Sequence, residues 1–396
     1  MKFFCRNCKK SIELGEMLSL KKMPINYDIL KINIIKKEYE YLLSICKSCN
    51  LIQLLSSNNN FLKITPKDKI PNNENTNHQI KIFNILKKKI DLNEIKKVLL
   101  VSQYDYQYKI FFDKYKIETF FLNDHIFKKN NKLKFRQEHL QKYISNYKKK
   151  IRNNFKFDLI IMSKILEHTE EPKKLIINLK KFIKGKGKIL IDVPDTENCF
   201  RTINISTIWQ EHLFYFNKYS LRSFFEKMNF KTIFVKKFYR IQESDLFGLF
   251  ELSKKKIKQK KYNYKKNYLF FMMFKKNFIK TIKSINSKIL FLNQKIFFLG
   301  CGHNLLVFLT QCNLIYRINK IIDDNKSKIN KYPVNTNTKI VSTKYLLKIK
   351  NPIIVTSTPP ELDIKIKNKL IKKNNGKFFS IFPTSKFYIN KNSLIK

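Results

Sequence analysis

The sequence predicts an α/β protein with doubly wound, mostly parallel sheets. Short apolar runs typical of buried strands recur along the chain, stretches with helical spacing separate them, and one strand–helix unit takes about 30 residues. The same alternation starts again near residue 295. We therefore expect two α/β units in this chain of 396 residues, a length that suffices for two or three domains.

Five strands are predicted in the first α/β unit. They are KKVLLV (97–101 with its lead-in), IETFFL (117–122), FDLIIM (157–162), GKILIDV (187–193) and FKTIFVKKF (230–238). Before the fourth strand lies PKKLIINLKKFIKG, in which apolar residues recur at helical spacing, and Gly185 is expected to end this helix.

The second α/β unit follows a lysine-rich segment that is expected to be helical. Its elements are predicted in KIFFLGCGHNLLVFL, NKIIDDN, NPIIVTSTPP and GKFFSIFP. The chain is therefore expected to divide into a cysteine-containing segment (1–60), a first α/β domain (61–250), a basic helical linker (251–292) and a second α/β domain (293–396).

Positive charge dominates the chain, whose formal net charge is +51. Such a surface is typical of proteins that bind nucleic acid or other anions. The chain, however, contains no alanine, seven glycines and seven arginines, and its lysines are spread from end to end. That is the composition of an AT-rich coding sequence, so we favour compositional drift over a dedicated nucleic-acid surface. Anionic partners are still favoured by the charge.

No membrane segment is predicted. A spanning helix needs at least about 18 apolar residues, whereas the apolar run YLFFMMF (268–274) is short and flanked by lysines. The N-terminal MKFFCRNCKK lacks the apolar core and cleavage site of a signal peptide. The expectation is a cytoplasmic protein.

Four cysteines give the strongest chemical signal. Cys5 and Cys8 form one C-x2-C pair, and Cys46 and Cys49 form a second. Two such pairs can close a tetrahedral, structural Zn²⁺ site. Two disulfides or four unrelated thiols are the alternatives, and a cytoplasmic location argues against disulfides. The remaining cysteines lack this spacing and are expected to be ordinary buried thiols: Cys199, Cys301 and Cys312.

Several segments, taken in order, resemble one known family. CRNC, IELGEM and CKSCNLIQL are similar to the N-terminal zinc-binding domain of the deoxysugar C-methyltransferases. FDLIIMSKILEHTEEPKKLIINLKKFIKGKGKILIDVPD (157–195) resembles the fourth and fifth strands of a class I S-adenosylmethionine methyltransferase. WQEHLFYFNKYSLRSFFEKMNF (209–230) resembles the family segment with a Glu-His pair, and FFLGCGHNLLVFL resembles part of its C-terminal Rossmann-like domain.

The resemblance implies a fold and an activity. The fold is a class I methyltransferase Rossmann-like sheet with a small N-terminal zinc-binding domain and a C-terminal Rossmann-like domain. The activity is methyl transfer from S-adenosylmethionine to a carbon of a nucleotide-linked sugar. His212 would be the general base, since an imidazole titrates near neutral pH, and Glu211 would orient it or hold substrate hydroxyls.

The turn after the first predicted strand departs from the family pattern. Ser102 and Tyr106 stand where the family has two cofactor-turn glycines, and Asp105 keeps the acidic place between them. Residues with a Cβ restrict positive φ and hold a ligand away from the backbone. We therefore expect Tyr106 to fill the space of the methionine moiety. The other cofactor contacts implied by the resemblance are Asn123, Asp124 and Ser163.

A second glycine turn, Gly300-Cys301-Gly302, opens the second α/β unit, and Asp323 and Asp324 end the next predicted strand. This spacing resembles a dinucleotide fingerprint, although G-x-G alone is a weak signal. The turn could serve an independent redox site, or a domain that holds the nucleotide part of the substrate. We prefer the second, because no set of residues for hydride transfer is visible.

Two other functions remain open. An inactive relative could keep the scaffold and bind a sugar nucleotide or a protein partner. A zinc-ribbon nucleic-acid binder would use the positive charge, and its affinity would fall steeply with salt. The cysteine-containing segment has little interleaving of basic and aromatic residues, which argues against nucleic acid as the partner. Trp209, at the place of a family tyrosine, and His78, which matches an upstream family histidine, leave the identity of the sugar undetermined.

Overall fold

The computed structural model describes residues 2–24, 27–56, 77–122, 156–239, 244–257, 264–291, 294, 296–371 and 375–391. These residues form a six-stranded mixed sheet, a five-stranded parallel sheet, a four-stranded antiparallel sheet and three two-stranded sheets. The predicted α/β class is confirmed, while the division of the chain into four domains stays a prediction.

Short strands make up the N-terminal segment. They are β1 (Phe3–Phe4), β2 (Ser11–Ile12), β3 (Met17–Ser19), β4 (Met23–Pro24), β5 (Ile29–Leu30), β6 (Glu38–Tyr39), β7 (Tyr41–Ile45) and β8 (Ile52–Ser56). β3, β7 and β8 pair side by side in antiparallel fashion. Leu43 and Leu54 face each other across β7 and β8 and are fully buried, so this small segment has apolar packing of its own.

The first α/β unit alternates helices and strands as predicted. Its elements are α1 (Asn77–Lys87), β9 (Lys97–Leu100), α2 (Tyr106–Asp113), β10 (Glu118–Phe121), β11 (Phe157–Ser163), α3 (Pro172–Lys180), β12 (Ile183–Pro194), α4 (Thr196–Thr202), β13 (Phe214–Tyr215), α5 (Lys218–Glu226), β14 (Phe230–Phe238) and β15 (Asp245–Leu252). The sheet has the order β10-β9-β11-β12-β15-β14. Its first four strands are parallel, and β15 runs antiparallel to both neighbours.

The expected helix stop at Gly185 is wrong. Helix α3 ends at Lys180, and Gly185 lies inside β12. The amide of Phe157 donates to the carbonyl of Phe182, and Ile183 already pairs with Phe157. Strand β12 therefore begins at Ile183, before the glycine, because this part of the chain pairs with β11.

Strand β15 was not predicted from the sequence. Its segment DLFGLFEL lies between β12 and β14, and residues Asp245 to Phe250 are all buried. A strand that is covered on both faces lacks the alternation of apolar and polar residues by which half-buried strands are recognised.

The second α/β unit follows a long helix. Its elements are α6 (Tyr264–Leu290), β16 (Ile296–Leu299), α7 (His303–Gln311), β17 (Ile318–Ile322), β18 (Tyr332–Pro333), β19 (Ile340–Val341), β20 (Ile353–Thr356), α8 (Asp363–Ile371) and β21 (Lys377–Ser380). The parallel sheet has the order β19-β17-β16-β20-β21. In the described part of the chain, no helix combines the length and the apolar character needed to cross a bilayer.

Both α/β sheets reverse their winding direction beside their first strand. In the first unit the chain passes from β9 to β10 on one side and then to β11 on the other. In the second unit it passes from β16 to β17 and β19, and then to β20 on the other side. Ligands of open α/β sheets bind beyond the carboxyl ends of the strands at this point. Ligand contacts are therefore expected at the turns after β9 and β16.

The N-terminal segment connects to both α/β units through strand pairing. β13, which lies within the first unit in sequence, pairs with β8 and so completes the four-stranded sheet. β5 pairs with β18 of the second unit through Leu30 and Tyr332. The segment that carries the cysteine pairs is therefore in hydrogen-bonded contact with both units.

Candidate functional site

The four predicted metal ligands come together in the structure. The Sγ atoms of Cys5 and Cys49 are 3.5 Å apart, those of Cys8 and Cys46 are 3.6 Å apart, and all four lie within 4.8 Å of one another. All seven cysteines are free thiols, and the three outside the cluster are buried, as expected: Cys199, Cys301 and Cys312.

Each C-x2-C pair lies in the same kind of turn. The amide of Lys9 donates to the carbonyl of Cys5, and the amide of Asn50 donates to that of Cys46, at 2.9 Å in both turns. Lys9 and Asn50 have φ angles of 60° and 61°. The two turns therefore present their sulfur atoms to each other in matching geometry.

The sulfur cluster fits a tetrahedral zinc ion. Four thiolates at about 2.3 Å from Zn²⁺ would be separated by about 3.8 Å, close to the two sulfur–sulfur distances given above. Hydrogen bonds from the thiols of Cys46 and Cys49 hold the pKa of the Cys5 thiol far below its usual value. The same contacts raise the pKa values of the Cys46 and Cys49 thiols, so the fit of the cluster to a metal ion rests on its sulfur geometry and its four-cysteine ligand set.

Gln53 connects this cluster to the first α/β unit. Its side-chain Nε2 donates to Cys5 Sγ at 3.2 Å, and its Oε1 accepts from the amide of Arg6 at 2.8 Å. The next residue, Leu54, donates its amide to the carbonyl of Leu213 at 2.9 Å. The segment just after the predicted base is thus held by the same strand that contacts Cys5 of the cluster.

His212 lies in a cluster of aromatic rings. Its ring centroid is 4.8 Å from that of His168 and 5.1 Å from that of Trp209. Trp209 also stacks on His303 of the second unit, with 4.4 Å between the ring centroids. His212, His168 and Trp209 come from the two segments of the first unit that resemble a methyltransferase in sequence, and His303 joins them from the first position of α7.

His168 is held by a main-chain group. Its Nδ1 is 2.8 Å from the carbonyl oxygen of Glu211, and because a carbonyl can only accept, Nδ1 carries the proton. Nε2 of the same ring is 3.8 Å from Oε1 of Glu167. Glu167 is buried, and its carbonyl accepts from the amide of Leu213 at 2.8 Å. The contact of Glu211 with His168 is therefore made by its backbone, and the role expected of its side chain stays a prediction.

The turn after β9 is closed by the carboxylate of Asp105. This side chain accepts from the amide of Ser102 at 2.7 Å and from that of Val101 at 3.2 Å, while Ser102 Oγ accepts from the amide of Tyr104 at 3.0 Å. Asp105 is fully buried. Burial raises its pKa to about 7, although hydrogen bonds from Ser163 and Ser102 oppose the shift. The predicted residues Ser102, Asp105 and Ser163 thus meet at the switch point.

Tyr106 does not fill the space inside this turn. Its side chain is 46% exposed and stacks on Phe121 at the end of β10, with ring centroids 5.6 Å apart. The expectation that it would occupy the methionine space is corrected, because Phe121 provides an apolar surface that draws the ring outward. Two other predicted cofactor residues lie outside the described residues: Asn123 and Asp124.

A buried cluster of charges lies at the same edge of the sheet. The Nζ of Lys164, at the end of β11, is close to Asp245 and 3.5 Å from Asp192. His78 Nε2 is 3.4 Å from the other carboxylate oxygen of Asp192. All four side chains are less than a tenth exposed. Such a cluster can receive both the positive and the negative groups of a ligand.

Tyr108 adds a hydroxyl group to this cluster. Within the described residues its hydroxyl has no hydrogen-bond partner, and the side chain is fully buried. Burial raises its pKa well above the usual value, and the nearby carboxylates of Asp192, Asp105 and Asp245 add to the shift. A buried donor without an acceptor is costly, and a bound ligand would remove that cost.

The glycine turn of the second unit is filled by internal contacts. Asp323 accepts from the amide of Cys301 at 2.9 Å, and Lys328 Nζ contacts Asp323 at 2.8 Å and the Cys301 carbonyl at 2.7 Å. The acid that would hold ribose hydroxyls in a dinucleotide site is thus already bonded to the turn. This arrangement argues against an independent NAD site.

Sequence reasoning missed part of this site. His303 directly follows the second glycine turn, and Tyr108 lies one helical turn after Asp105, so both positions carried a signal that was overlooked. Lys164 and Asp192 lie at the ends of predicted strands, which is where α/β sheets place ligand-binding residues. Their convergence, however, depends on strand order, which a single sequence does not provide.

Comparison with known proteins is consistent with this geometry. A family model described as a methyltransferase domain matches residues 69–234, which include the turn after β9 and both His168 and His212. No curated protein matches the chain.

The chain is also similar to solved structures of three methyltransferases. One is an S-adenosylmethionine-dependent methyltransferase from Archaeoglobus fulgidus, with 14% identity over 45% of this chain and 94% of that chain and a TM-score of 0.34. A second, from Aquifex aeolicus, has 12% identity over 45% and 99%, with a TM-score of 0.28. The N-methyltransferase NodS from Bradyrhizobium japonicum WM9 has 10% identity over 46% and 99%, with a TM-score of 0.28.

Proposed function

We propose that the protein transfers a methyl group from S-adenosylmethionine to a carbon atom of a nucleotide-linked sugar. The observation that carries this proposal is the contact between His168 and His212 within the segment that matches a methyltransferase domain. Two imidazoles in contact offer a base for a carbon-bound proton.

The buried charge cluster supports binding of the cofactor. S-adenosylmethionine carries an ammonium, a carboxylate and a sulfonium, and it supplies an electrophilic methyl group when bound. Asp192 and Asp245 are suited to the positive groups, while Lys164 and the hydroxyl of Tyr108 are suited to the carboxylate. Tyr106 stands at the place of the second family glycine, but its ring turns away from the switch point. The space beside Ser102 is therefore not filled by this side chain and can receive the cofactor.

In this mechanism His212 accepts the proton and its neighbours hold it in place. His212 is 8% exposed, with Trp209 and Tyr215 near its ring, so the base works in surroundings from which most water is excluded. The Glu211 carbonyl fixes the protonated nitrogen of His168. Methyl transfer itself then depends mainly on alignment of donor and acceptor.

The nucleotide part of the substrate is assigned to the second α/β unit. Trp209 of the first unit stacks on His303 at the start of α7, so a substrate bound between the two units would reach both the base and the turn after β16. The net charge of +51 favours such an anionic substrate. The four cysteines would hold a structural Zn²⁺ that fixes the strand behind the base: Cys5, Cys8, Cys46 and Cys49.

A His212→Asn variant tests the proposal. Zinc-loaded protein is incubated with radiolabelled S-adenosylmethionine and a panel of nucleotide sugars, and label in the sugar is measured. We expect transfer by the wild type, a loss of at least about 100-fold in kcat for the variant, and unchanged affinity for the cofactor by calorimetry. An unchanged kcat would refute the role of His212, and absence of transfer to every sugar tested would refute the substrate class.

The contacts of Asp105 favour a second candidate, an inactive binding scaffold. This carboxylate already accepts the amides of Val101 and Ser102, which a cofactor would otherwise meet. The scaffold hypothesis predicts binding of a nucleotide sugar without binding of S-adenosylmethionine, so calorimetry with each ligand separates the two functions.

A further inference from the structure

We propose that Glu167, His168 and His212 form a binding site for a divalent transition-metal ion, separate from the four-cysteine cluster. Each residue offers one ligand atom, and the three atoms lie within 4.8 Å of one another. Two imidazoles and one carboxylate are a ligand set used for Zn²⁺, Co²⁺ and Fe²⁺. The existence of this site does not depend on the proposed function, whereas its effect on methyl transfer does.

The ligand atoms need only a small movement to bind one ion. With metal–ligand bonds of about 2.1 Å, two ligand atoms lie at most about 4.2 Å apart. Nε2 of His168 and Oε1 of Glu167 are already 3.8 Å apart. The other distances between ligand atoms are at most 4.8 Å.

The surroundings of His168 match those of a metal ligand. Metal-bound histidines usually donate their second ring N–H to a carbonyl or carboxylate, which fixes the tautomer and orients the ring. Nδ1 of His168 has this partner in the carbonyl of Glu211, at 2.8 Å, so Nε2 faces Glu167 with its lone pair.

Backbone hydrogen bonds join the two ends of the site to each other, and join one of them to strand β8 of the N-terminal segment. The amide of Leu213, next to His212, donates to the carbonyl of Glu167 at 2.8 Å, and the carbonyl of Leu213 accepts from Leu54 at 2.9 Å. Glu167 and His212 are each less than a tenth exposed. Backbone bonds thus fix the separation of two ligands in a site that is largely shielded from water.

A bound ion would interfere with the base. The lone pair of His212 cannot accept a proton while it is donated to a metal. We therefore expect excess Zn²⁺ or Co²⁺ to inhibit a transfer that uses His212, and we expect a chelator that leaves the four-cysteine site loaded to reverse the inhibition.

Cobalt spectroscopy tests the site without an activity assay. Full-length protein is first loaded with one equivalent of Zn²⁺, which the thiolates bind, and is then titrated with Co²⁺. We expect one Co²⁺ per chain with visible d–d absorption and without a sulfur-to-cobalt charge-transfer band. X-ray absorption at the cobalt edge of the wild-type protein should show imidazole ligands, which is independent of the folding of any variant.

Matched variants assign the ligands. His168→Gln and Glu167→Gln should each raise the Kd for Co²⁺ more than about tenfold. His303→Gln, in the same aromatic cluster, should leave the Kd unchanged, and so should His78→Gln, which alters the other histidine-containing group of potential ligands. Circular dichroism checks that each variant is folded.

Three results would overturn the inference. The first is absence of a second cobalt equivalent in the wild type, and the second is a cobalt spectrum dominated by sulfur ligation. The third is loss of binding in His78→Gln with retention in His168→Gln, which would move the ion to the cluster around Asp192. None of these results affects the test of S-adenosylmethionine binding, so failure of the metal site and failure of the proposed function are distinguishable.

Discussion

In both α/β units a carboxylate accepts backbone amides at the switch point, but the two carboxylates come from different positions. In the turn after β9, which has no glycine, Asp105 accepts the amides of Val101 and Ser102. In the turn after β16, which has two glycines, Asp323 from the neighbouring strand accepts the amide of Cys301. In both turns a carboxylate takes the place at which a ligand could meet backbone N–H groups.

The difference between the turns lies in backbone angle and charge. Gly300 has φ +88°, whereas none of residues 101–106 is among those with positive φ. Asp323 is paired with Lys328, whereas burial raises the pKa of Asp105 to about 7. The turn after β9 therefore carries no backbone strain from its lack of glycine, and it differs from the turn after β16 in holding a buried carboxyl group whose pKa is raised.

The largest expected effect concerns the charge of Asp105. Its folded-state pKa is raised, so the stability it contributes is fully present below its unfolded pKa of about 4 and is lost as pH rises through about 7. An Asp105→Asn variant keeps an oxygen that can accept both amides and has no charge to bury. We expect the variant to exceed the wild type by about 4 kcal/mol in unfolding free energy at pH 8, and to match it near pH 4.

Urea denaturation of both proteins at pH 4, 6 and 8 measures this difference. Asp323→Asn is the matched control from the second turn, because Lys328 already compensates that carboxylate. Equal pH dependence in wild type and Asp105→Asn would show that Asp105 titrates as an ordinary carboxyl group.

The next effect tests the need for glycine. A Cβ on Gly300 would lie 2.9 Å from Ser357 Oγ, and its φ of +88° is unfavourable for any residue with a side chain. We expect Gly300→Ala to lower the unfolding free energy by about 2 kcal/mol. Gly302 has φ −137° and nothing within 4 Å of a Cβ, so Gly302→Ala should change stability by less than about 0.5 kcal/mol. Equal losses in the two variants would contradict the role given to backbone angle.

The smallest effect comes from restoring a glycine to the first turn. Ser102→Gly removes the hydroxyl that accepts from the amide of Tyr104 and adds freedom to the unfolded chain. We expect a loss of about 1 kcal/mol in unfolding free energy and no gain in affinity for S-adenosylmethionine. Calorimetry and denaturation check both, and a clear gain in affinity would mean that Ser102 does block the cofactor.

Local patterns were sufficient to predict part of the molecule. The cysteine cluster was predictable from the two C-x2-C pairs. Each pair forms a local turn, and the cluster then requires only that these two turns meet. The predicted strands also agree with the structure, since buried apolar runs between turns are a local signal. The strand β15 escaped prediction because both of its faces are covered.

Features that depend on distant contacts were not predictable from the sequence. Tyr106 turns outward because Phe121, on another strand, offers a stacking surface. Gly185 fails to end a helix because Phe157 pairs with Ile183 first. The grouping of Glu167, His168, His212 and His303 joins residues from separate segments, which only strand order and the docking of the second unit bring together.

Calorimetric titration of S-adenosylmethionine into zinc-loaded protein tests the central claim, that a switch point without glycine still receives this cofactor. We predict binding at one site per chain, and an affinity at least about tenfold weaker for Tyr108→Phe, whose fold should be intact because its lost hydroxyl has no described partner. No detectable binding at millimolar cofactor, by folded wild-type protein with zinc bound, would contradict the claim.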